Sequence, residues 1–325
     1  MRASIIVCTR NRADSIGEMF DALSRLEPGG AEIVVVDSST GADKEKTEKL
    51  ARQCGAKYVE EPRRGLSLAR NTGLSVATGD IIAFTDDDCI PAKDWLAHKL
   101  KVFSDPSIWA CTGRVVQHSS AGASDLFEEV AGQDLGGEKR EFTRQNLQFG
   151  IGMFLSNVAK IFAKHMKSQA PGPWSIGHGS SMAFRREVFA QLGQFDERLG
   201  GGAPLRSCDD TEMFYRVLMA GHKIVYEPAA VVRHKHGLDN EDVFKTRYGY
   251  SYGGAAFMWE HKKNFLMFAM FCGRLVQLIL KTAQYKLTGK KDLAKSFSSD
   301  LRGFLDGWAM WRKLTKEGVK PAGRY

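Results

Sequence analysis

The sequence predicts an α/β fold built on a mainly parallel central sheet, with a helical extension at its C-terminal end. Three observations lead there. Strand-like and helix-like runs alternate through the first hundred residues, the strand-like runs are apolar almost without interruption, and several of them end in carboxylates. Alternation at this spacing marks βαβ units. A strand buried on both faces needs no polar alternate positions, so unbroken apolar runs belong to a parallel sheet.

Each element follows in order. Ser4–Cys8 is the first strand and leads into Thr9, Arg10, Asn11 and Arg12. A helix is expected over Asp14–Leu26, where Ile16, Met19, Phe20 and Leu23 recur at helical spacing. Glu32–Asp37 is the second strand; a polar helix from about Asp43 to Cys54 and a short strand at Lys57–Glu60 come next. Leu66–Thr78 reads as a helix and Asp80–Thr85 as a strand that ends in Asp86, Asp87 and Asp88. Residues 119–148, rich in Gly, Ser, Glu and Gln, predict loops and an exposed helix, and Pro171-Gly172-Pro173 predicts a break. Beyond it come a strand at Ser181–Phe184, a helix at Arg186–Leu192, a helix over Thr211–Ala220 ending at Gly221, and a strand over Lys223–Tyr226 stopped by Pro228.

Composition narrows the function classes. The 325 residues, 43% hydrophobic and 26% charged, suit one large globular domain with an appendage, or two domains. The six cysteines stand singly without a C-x-x-C pair, which argues against a zinc ribbon or a disulfide framework and for a reducing compartment. The apolar run at the N-terminus is too short for a signal-peptide core and meets Arg10 and Arg12 at once, so a cytoplasmic location is expected. Charge is uneven: residues 233–325 carry 18 Lys or Arg against 8 Asp or Glu, while residues 1–232 carry 28 against 30. A basic tail calls for an anionic partner. The tail also holds Phe265–Leu280, apolar except for Arg274 and Gln277, and Arg274, Gln277, Lys281 and Gln284 form one polar stripe at helical spacing. That stretch falls short of the roughly 20 residues of a spanning helix. An amphipathic helix lying in an anionic membrane interface is therefore expected, with Lys281, Lys286, Lys290, Lys291 and Lys295 at the headgroups, and no nucleic-acid partner.

Ligands of an open α/β sheet bind at the carboxyl ends of its strands. Three such ends carry chemistry here: Thr9 to Arg12, Asp37, and Asp86 to Asp88. Adjacent carboxylates repel unless a cation lies among them, and oxygen ligands suit Mg²⁺ or Mn²⁺. Asp209, Asp210 and Glu212 open a helix, where acids are commonly caps; a carboxylate there can also take a proton from an attacking hydroxyl. His234 follows a strand and could ligate a metal, although a lone His is more often structural. Arg63, Arg64 and Arg70 could meet a pyrophosphate, and the small residues of Gly177–Ser181 would let a sugar approach the backbone. No G-x-G-x-x-G follows the first strand and there is no P-loop, so a dinucleotide oxidoreductase is excluded.

Taken together, these segments resemble the GT-A (Rossmann-like) fold of family 2 glycosyltransferases. The resemblance runs through Ser4–Arg12, Ile33–Ser39, Arg64–Gly73, Gly79–Pro91, Gly177–Arg186, Gly193–Glu197 and Asp209–Arg216 to His234, covering about residues 3–236. It implies one nucleotide-sugar-binding domain over residues 1–236 and a basic helical extension over 237–325. It also implies residue roles. Asp37 resembles the carboxylate that reads the base, Thr9 lines the base pocket, and Arg70 lies near the nucleotide. Asp86 and Asp88 match the D-x-D pair, Asp86 toward ribose and metal and Asp88 as the chief metal contact, with His234 as a further metal ligand. Asp210 matches the general base. Arg10, Arg12, Asp87, Gly179 and Asp209 complete the expected nucleotide-sugar site. The family's usual Glu before the base is Asp209 here, and the Q-x-x-R-W motif of processive synthases is absent, so single-sugar transfer is expected.

The function implied is inverting, Mn²⁺- or Mg²⁺-dependent transfer of one sugar to a saccharide or lipid-linked acceptor at the inner face of the cell membrane. A UDP-sugar is the favoured donor, with GDP- and dTDP-sugars as alternatives. The rival readings are a nucleotidyltransferase, which would want a Gly-rich phosphate loop near the N-terminus, and an inactive nucleotide-sugar-binding protein of the same fold.

Overall fold

The computed structural model describes residues 1–117, 134–145, 173–235 and 240–320. The expected break at Pro171-Gly172 lies outside them, as does most of the loop region expected over 119–148. In chain order the elements are β1 (Ala3–Thr9), α1 (Gly17–Ser24), β2 (Glu32–Asp37), α2 (Ala42–Gln53), β3 (Lys57–Glu60), α3 (Leu66–Val76), β4 (Ile81–Asp86), β5 (Cys89–Pro91), α4 (Trp95–Val102) and β6 (Ile108–Gln117). Then come β7 (Arg140–Phe142), β8 (Met182–Arg185), α5 (Arg186–Leu192), α6 (Asp209–Met219) and β9 (Lys223–His234). The tail forms α7 (Asn240–Glu260), α8 (Phe265–Leu287) and α9 (Lys291–Lys316). Shifts of a few residues from the predicted ends are ordinary fraying.

The strands form one sheet in the order β3-β2-β1-β4-β8-β6-β9-β5, with β7 also pairing β9. β1, β2, β3 and β4 pair in parallel, the half that the alternation predicts, and β6 runs parallel to β9. β8 is antiparallel to both β4 and β6, which makes the whole sheet mixed. Its two faces are both covered. Ile6, Val34, Val36, Ile82 and Phe84 join one core beneath α3, α5 and α6. Ile5, Val7, Val35, Ile81 and Ala83 join the other, with Met19 and Phe20 of α1 and Trp95 of α4. Successive side chains point to opposite faces, and here both directions end in protein.

The predicted strand at Lys223–Tyr226 does not stop at Pro228. It runs on to His234, because the register against β6 jumps from Gly113–Glu227 to Arg114–Val231. Pro228 to Ala230 bulge out of the ladder, so the missing N–H of proline costs no ladder bond. The continuation carries His234 to the sheet's carboxyl end.

The tail is packed onto the body. Phe257, Met258, Met267, Met270, Phe271 and Phe304 belong to the same core as Phe84 and Phe214. The expected boundary at residue 236 falls outside the described residues. α8 is longer than the stretch read from the sequence, 23 residues, and by length and composition alone it could cross a membrane. Arg274 is half-buried: it bonds to Asp300 of α9 and to Gln277 of its own stripe. The outward side of α8 is apolar instead, with Phe265, Phe268, Val276, Ile279, Leu280 and Leu287 exposed.

Candidate active site

Parallel pairing sets the carboxyl ends of three strands side by side. Thr9 is opposite Asp37, and Cys8 is opposite Asp86. A cleft of about 460 Å³ opens over these ends. Thr9, Arg10, Arg12, Ser38, Arg64, Arg70, the three aspartates 86–88, Gly179, Asp209, Asp210 and His234 all line it.

One side of the cleft is an acidic cluster. Asp86, Asp88, Cys89 and His234 bring ligand atoms within 4.8 Å of one another. The sheet explains the meeting, since Cys89 of β5 is the antiparallel partner of His234 in β9. His234 Nε2 lies 3.0 Å from Asp88 Oδ1. Burial works against the imidazolium, but the hydrogen bond and charge of Asp88 outweigh it and raise the pKa of His234. Asp88 is lowered: burial opposes its ionisation, yet His234 and then Arg12, 2.6 Å away, prevail. Burial raises Asp86 despite the Arg70 charge, and pushes Asp87 up to about 6. Asp87 nonetheless accepts bonds from Thr9 Oγ1 at 2.8 Å and Arg12 at 3.0 Å. Burial and the neighbouring carboxylates together disfavour ionisation of these acids, and a bound cation would relieve both. A divalent cation fits the donor set, two carboxylates and an imidazole, and would replace the proton that His234 and Asp88 share.

On the other side α6 begins. Asp209 is buried and paired with Arg70, whose guanidinium also lies 3.6 Å from Asp86. Arg70 therefore ties the acidic cluster to the start of α6. Burial raises Asp209, the Arg70 charge holding it back only in part. Asp210 keeps its carboxylate in the cleft, where Oδ2 accepts the Gly179 N–H at 2.7 Å and Oδ1 the Thr211 N–H at 2.6 Å. Gly179 must be small: a Cβ there would stand 2.8 Å from Arg70 Nη2 and 3.3 Å from Asp210 Oδ2. Arg70 is held against swinging aside by buried Asp209 and half-buried Asp86.

Asp37 is the sequence-predicted residue that does not line the cleft. It sits behind Ser38, with one oxygen taken by the Ser39 amide at 2.8 Å and the other by the Tyr58 hydroxyl at 2.9 Å. Arg63 is turned away onto Glu61 as well, whereas Arg64 lines the cleft and forms no ion pair among the described residues. Cys89 and Tyr250 are cleft or cluster residues that sequence reasoning missed. Only the pairing of β5 with β9 brings Cys89 in, and only the docking of α7 brings Tyr250.

Known proteins resemble this chain in sequence and in fold. The family model described as "Glycosyl transferase family 2" matches residues 4–193. The pre-mycofactocin glycosyltransferase of Mycobacterium tuberculosis is 25% identical over 254 residues, covering 78% of this chain and 46% of that protein. The chain thus spans about half the length of that curated relative. The glucosyl-dolichyl phosphate glucuronosyltransferase of Haloferax volcanii is 23% identical, covering 72% and 69%. Among solved structures, the mannosyltransferase PcManGT of Pyrobaculum calidifontis, in complex with GDP-Man and Mn²⁺, superposes with a TM-score of 0.62 at 22% identity, covering 97% of this chain and 88% of that one. That likeness establishes the fold as GT-A. With the family model matching more than half of its residues, the chain belongs to glycosyltransferase family 2.

Proposed function

We propose that the chain is an inverting, metal-dependent glycosyltransferase that moves one sugar from a nucleoside-diphosphate sugar to a hydroxyl of a saccharide or lipid-linked acceptor. The observation that carries this reading is the meeting in one cleft of a carboxylate held only by N–H and hydroxyl donors among the described residues, Asp210, with a carboxylate–imidazole cluster, Asp86, Asp88 and His234. Asp210 takes the proton of the acceptor hydroxyl, and the oxygen attacks the anomeric carbon on the face opposite the departing diphosphate. Bound at Asp86, Asp88 and His234, Mn²⁺ or Mg²⁺ would supply a Lewis acid for that leaving group. An imidazole among the ligands favours Mn²⁺, since Mg²⁺ prefers oxygen throughout. Thr9, Arg10, Arg12 and Asp87 hold the nucleotide end, Asp37 orients the base side through Ser38 and Ser39, and Gly179 leaves room for the sugar. Asp209 keeps Arg70 in place.

A thermal-shift screen against UDP, GDP, dTDP and CDP, with and without Mn²⁺, tests the donor site. One nucleotide should stabilise the protein in an Mn²⁺-dependent way, by about 2.7 kcal/mol at a hundredfold excess over Kd. Response to none would sink the reading. The Mn²⁺ effect should also be larger at pH 7.5 than at pH 5. Asp86 and Asp87 are raised in the folded state, Asp87 to about 6, so protons stabilise it at low pH and that stability is lost as the pH climbs through the folded values. At the higher pH the metal takes over what protons do at the lower.

We assign donor chemistry to residues 1–236 and membrane contact to 237–325. The apolar outward side of α8 is flanked by the exposed lysines Lys286, Lys290 and Lys291, a combination that suits an anionic bilayer at the cytoplasmic face. The Haloferax relative carries dolichyl phosphate in its name, which supports a lipid-linked acceptor. Wild-type protein should float with phosphatidylglycerol vesicles, while Phe268→Asp with Ile279→Asp should stay soluble and unbound. Flotation unchanged by the double substitution would remove α8 as the membrane face.

A further inference from the structure

Among the described residues, one from the C-terminal helices reaches the cleft. Tyr250 of α7 lines it beside Asp210, the residue 53% exposed, and its hydroxyl has no hydrogen-bond partner among the described residues. The ring faces a concavity, so water reaches it while protein surrounds it. Desolvation first, then the charges of Asp210 and Asp86, push its phenol up to about 12, and the group stays neutral. Every other aromatic of the neighbouring turns is engaged. Tyr248 and Tyr252 sandwich the Arg206 guanidinium at 5.2 and 5.0 Å, and the Tyr248 hydroxyl bonds Asp306.

The position of Tyr250 is fixed by packing. Gly303 and Gly307 let α9 lie on the backbone of α7, where a Cβ would come within 2.4 Å of Tyr248 O and 2.0 Å of Tyr252 O. α7 in turn presses on the segment that leads into α6: a Cβ at Gly253 would meet Ser207 Oγ at 2.2 Å, and Ser207 Oγ donates to Gly249 O at 2.9 Å. Ser207 is three residues before Asp210. The same contacts that hold the candidate base therefore hold the Tyr250 ring next to it.

We propose that Tyr250 is an acceptor-binding residue, its ring forming the wall on which a pyranose of the acceptor stacks with a hydroxyl directed at Asp210. This rests on the reading of the cleft as a glycosyltransferase site. A pyranose presents a patch of C–H bonds on one face, and the face of an aromatic ring is negative, so the two attract. The acceptor rather than the donor is assigned because the diphosphate belongs with the acidic cluster at the strand ends. Tyr250 comes instead from the tail and stands by Asp210, where the accepting hydroxyl must lie. Leu66 and Ala69 are small apolar patches in an otherwise polar lining, and Tyr250 is the one Phe, Tyr or Trp that lines the cleft among the described residues.

The test uses saturation-transfer NMR on the full chain with Mg²⁺ and the nucleoside diphosphate that the thermal screen selects. The probes are methyl α-mannopyranoside, methyl β-glucopyranoside and methyl β-galactopyranoside, which lack an alkyl chain that α8 would capture. Saturation of ring C–H protons is expected in the wild type. The Kd should weaken about fivefold or more in Tyr250→Ala, the scale of one aromatic stack, and should be kept in Tyr250→Phe. An unchanged Kd in Tyr250→Ala overturns the proposal, as does loss in Tyr250→Phe, which would place the interaction on the hydroxyl. A platform of this kind takes any pyranose face, so a wild type that binds none of the three also overturns it. The nucleotide thermal shift, measured on the same samples, reports separately on the donor site: its presence with failed stacking leaves the glycosyltransferase reading standing.

Discussion

Asp210→Asn is expected to lower turnover of the nucleotide sugar by about 10²- to 10⁴-fold, the span over which a positioned general base acts. The fold should survive. Asn has the shape of Asp, and Asp210 is only partly buried, held by the N–H groups of Gly179 and Thr211. One of those two acceptor positions becomes an NH₂, which costs about 1–2 kcal/mol of stability at most. Nucleotide and Mn²⁺ binding should stay close to wild type, because Asp210 is not among the clustered ligand atoms of Asp86, Asp88, Cys89 and His234. The contrast between lost turnover and kept binding is the signature to look for. Release of nucleoside diphosphate, followed at saturating donor, gives the rate, and the thermal shift gives the binding. Turnover within about threefold of wild type is far too small an effect for the proton acceptor and would assign that role elsewhere.

The parallel half of the sheet was legible because its signals are local. Ile33–Val36 is a continuous β-branched run, the composition of a strand buried on both faces. Strand ends follow from the strands, so the approach of Thr9, Asp37 and Asp86 came with them. The second half was not legible in the same way. Ile108–Gln117 breaks its apolar run at Thr112, Gly113 and Arg114, and β9 hides a bulge behind Pro228 that only its pairing with β6 reveals.

The cleft divides along the same line. Asp86 and Asp88 declare themselves as neighbours in sequence, whereas Cys89 looked like one more isolated thiol until β5 met β9. Asp209 looked like a helix-capping acid, and nothing in its neighbourhood names Arg70, 139 residues away, as its partner. Tyr250 lies in a helix whose polar and apolar residues show no clear face, since α7 is packed by α9, α8 and the 205–207 segment at once. Residues whose role depends on two elements meeting carry no signal in either one alone.

Arg70→Met carries the largest expected effect on stability, about 3–5 kcal/mol at pH 7.5. The Arg70 side chain is 3% exposed, and its guanidinium is paired with Asp209, 8% exposed, and stands over the rings of Phe84 and Phe195 at 5.8 and 5.5 Å. Methionine fills much of the volume and keeps the contact with the rings, so the loss isolates the charge. Without it Asp209 is a buried carboxylate next to Asp210 with no counter-charge, and Asp86 loses its nearest cation. The pH dependence follows from the sign of the shift. Burial already raises Asp209 in the folded state and the positive charge of Arg70 opposes that rise, so removing Arg70 raises it further. A carboxyl raised in the folded state favours folding below its unfolded value and loses that benefit as pH climbs through the folded value. The defect should therefore be large at pH 7.5 and clearly smaller at pH 5, where Asp209 takes up a proton. Urea denaturation of both proteins at the two pH values measures it. A loss under about 1 kcal/mol, the range of an exposed pair, or an equal loss at both pH values, would mean that Arg70 is not the charge that lets the acidic cluster and the start of α6 share one cleft.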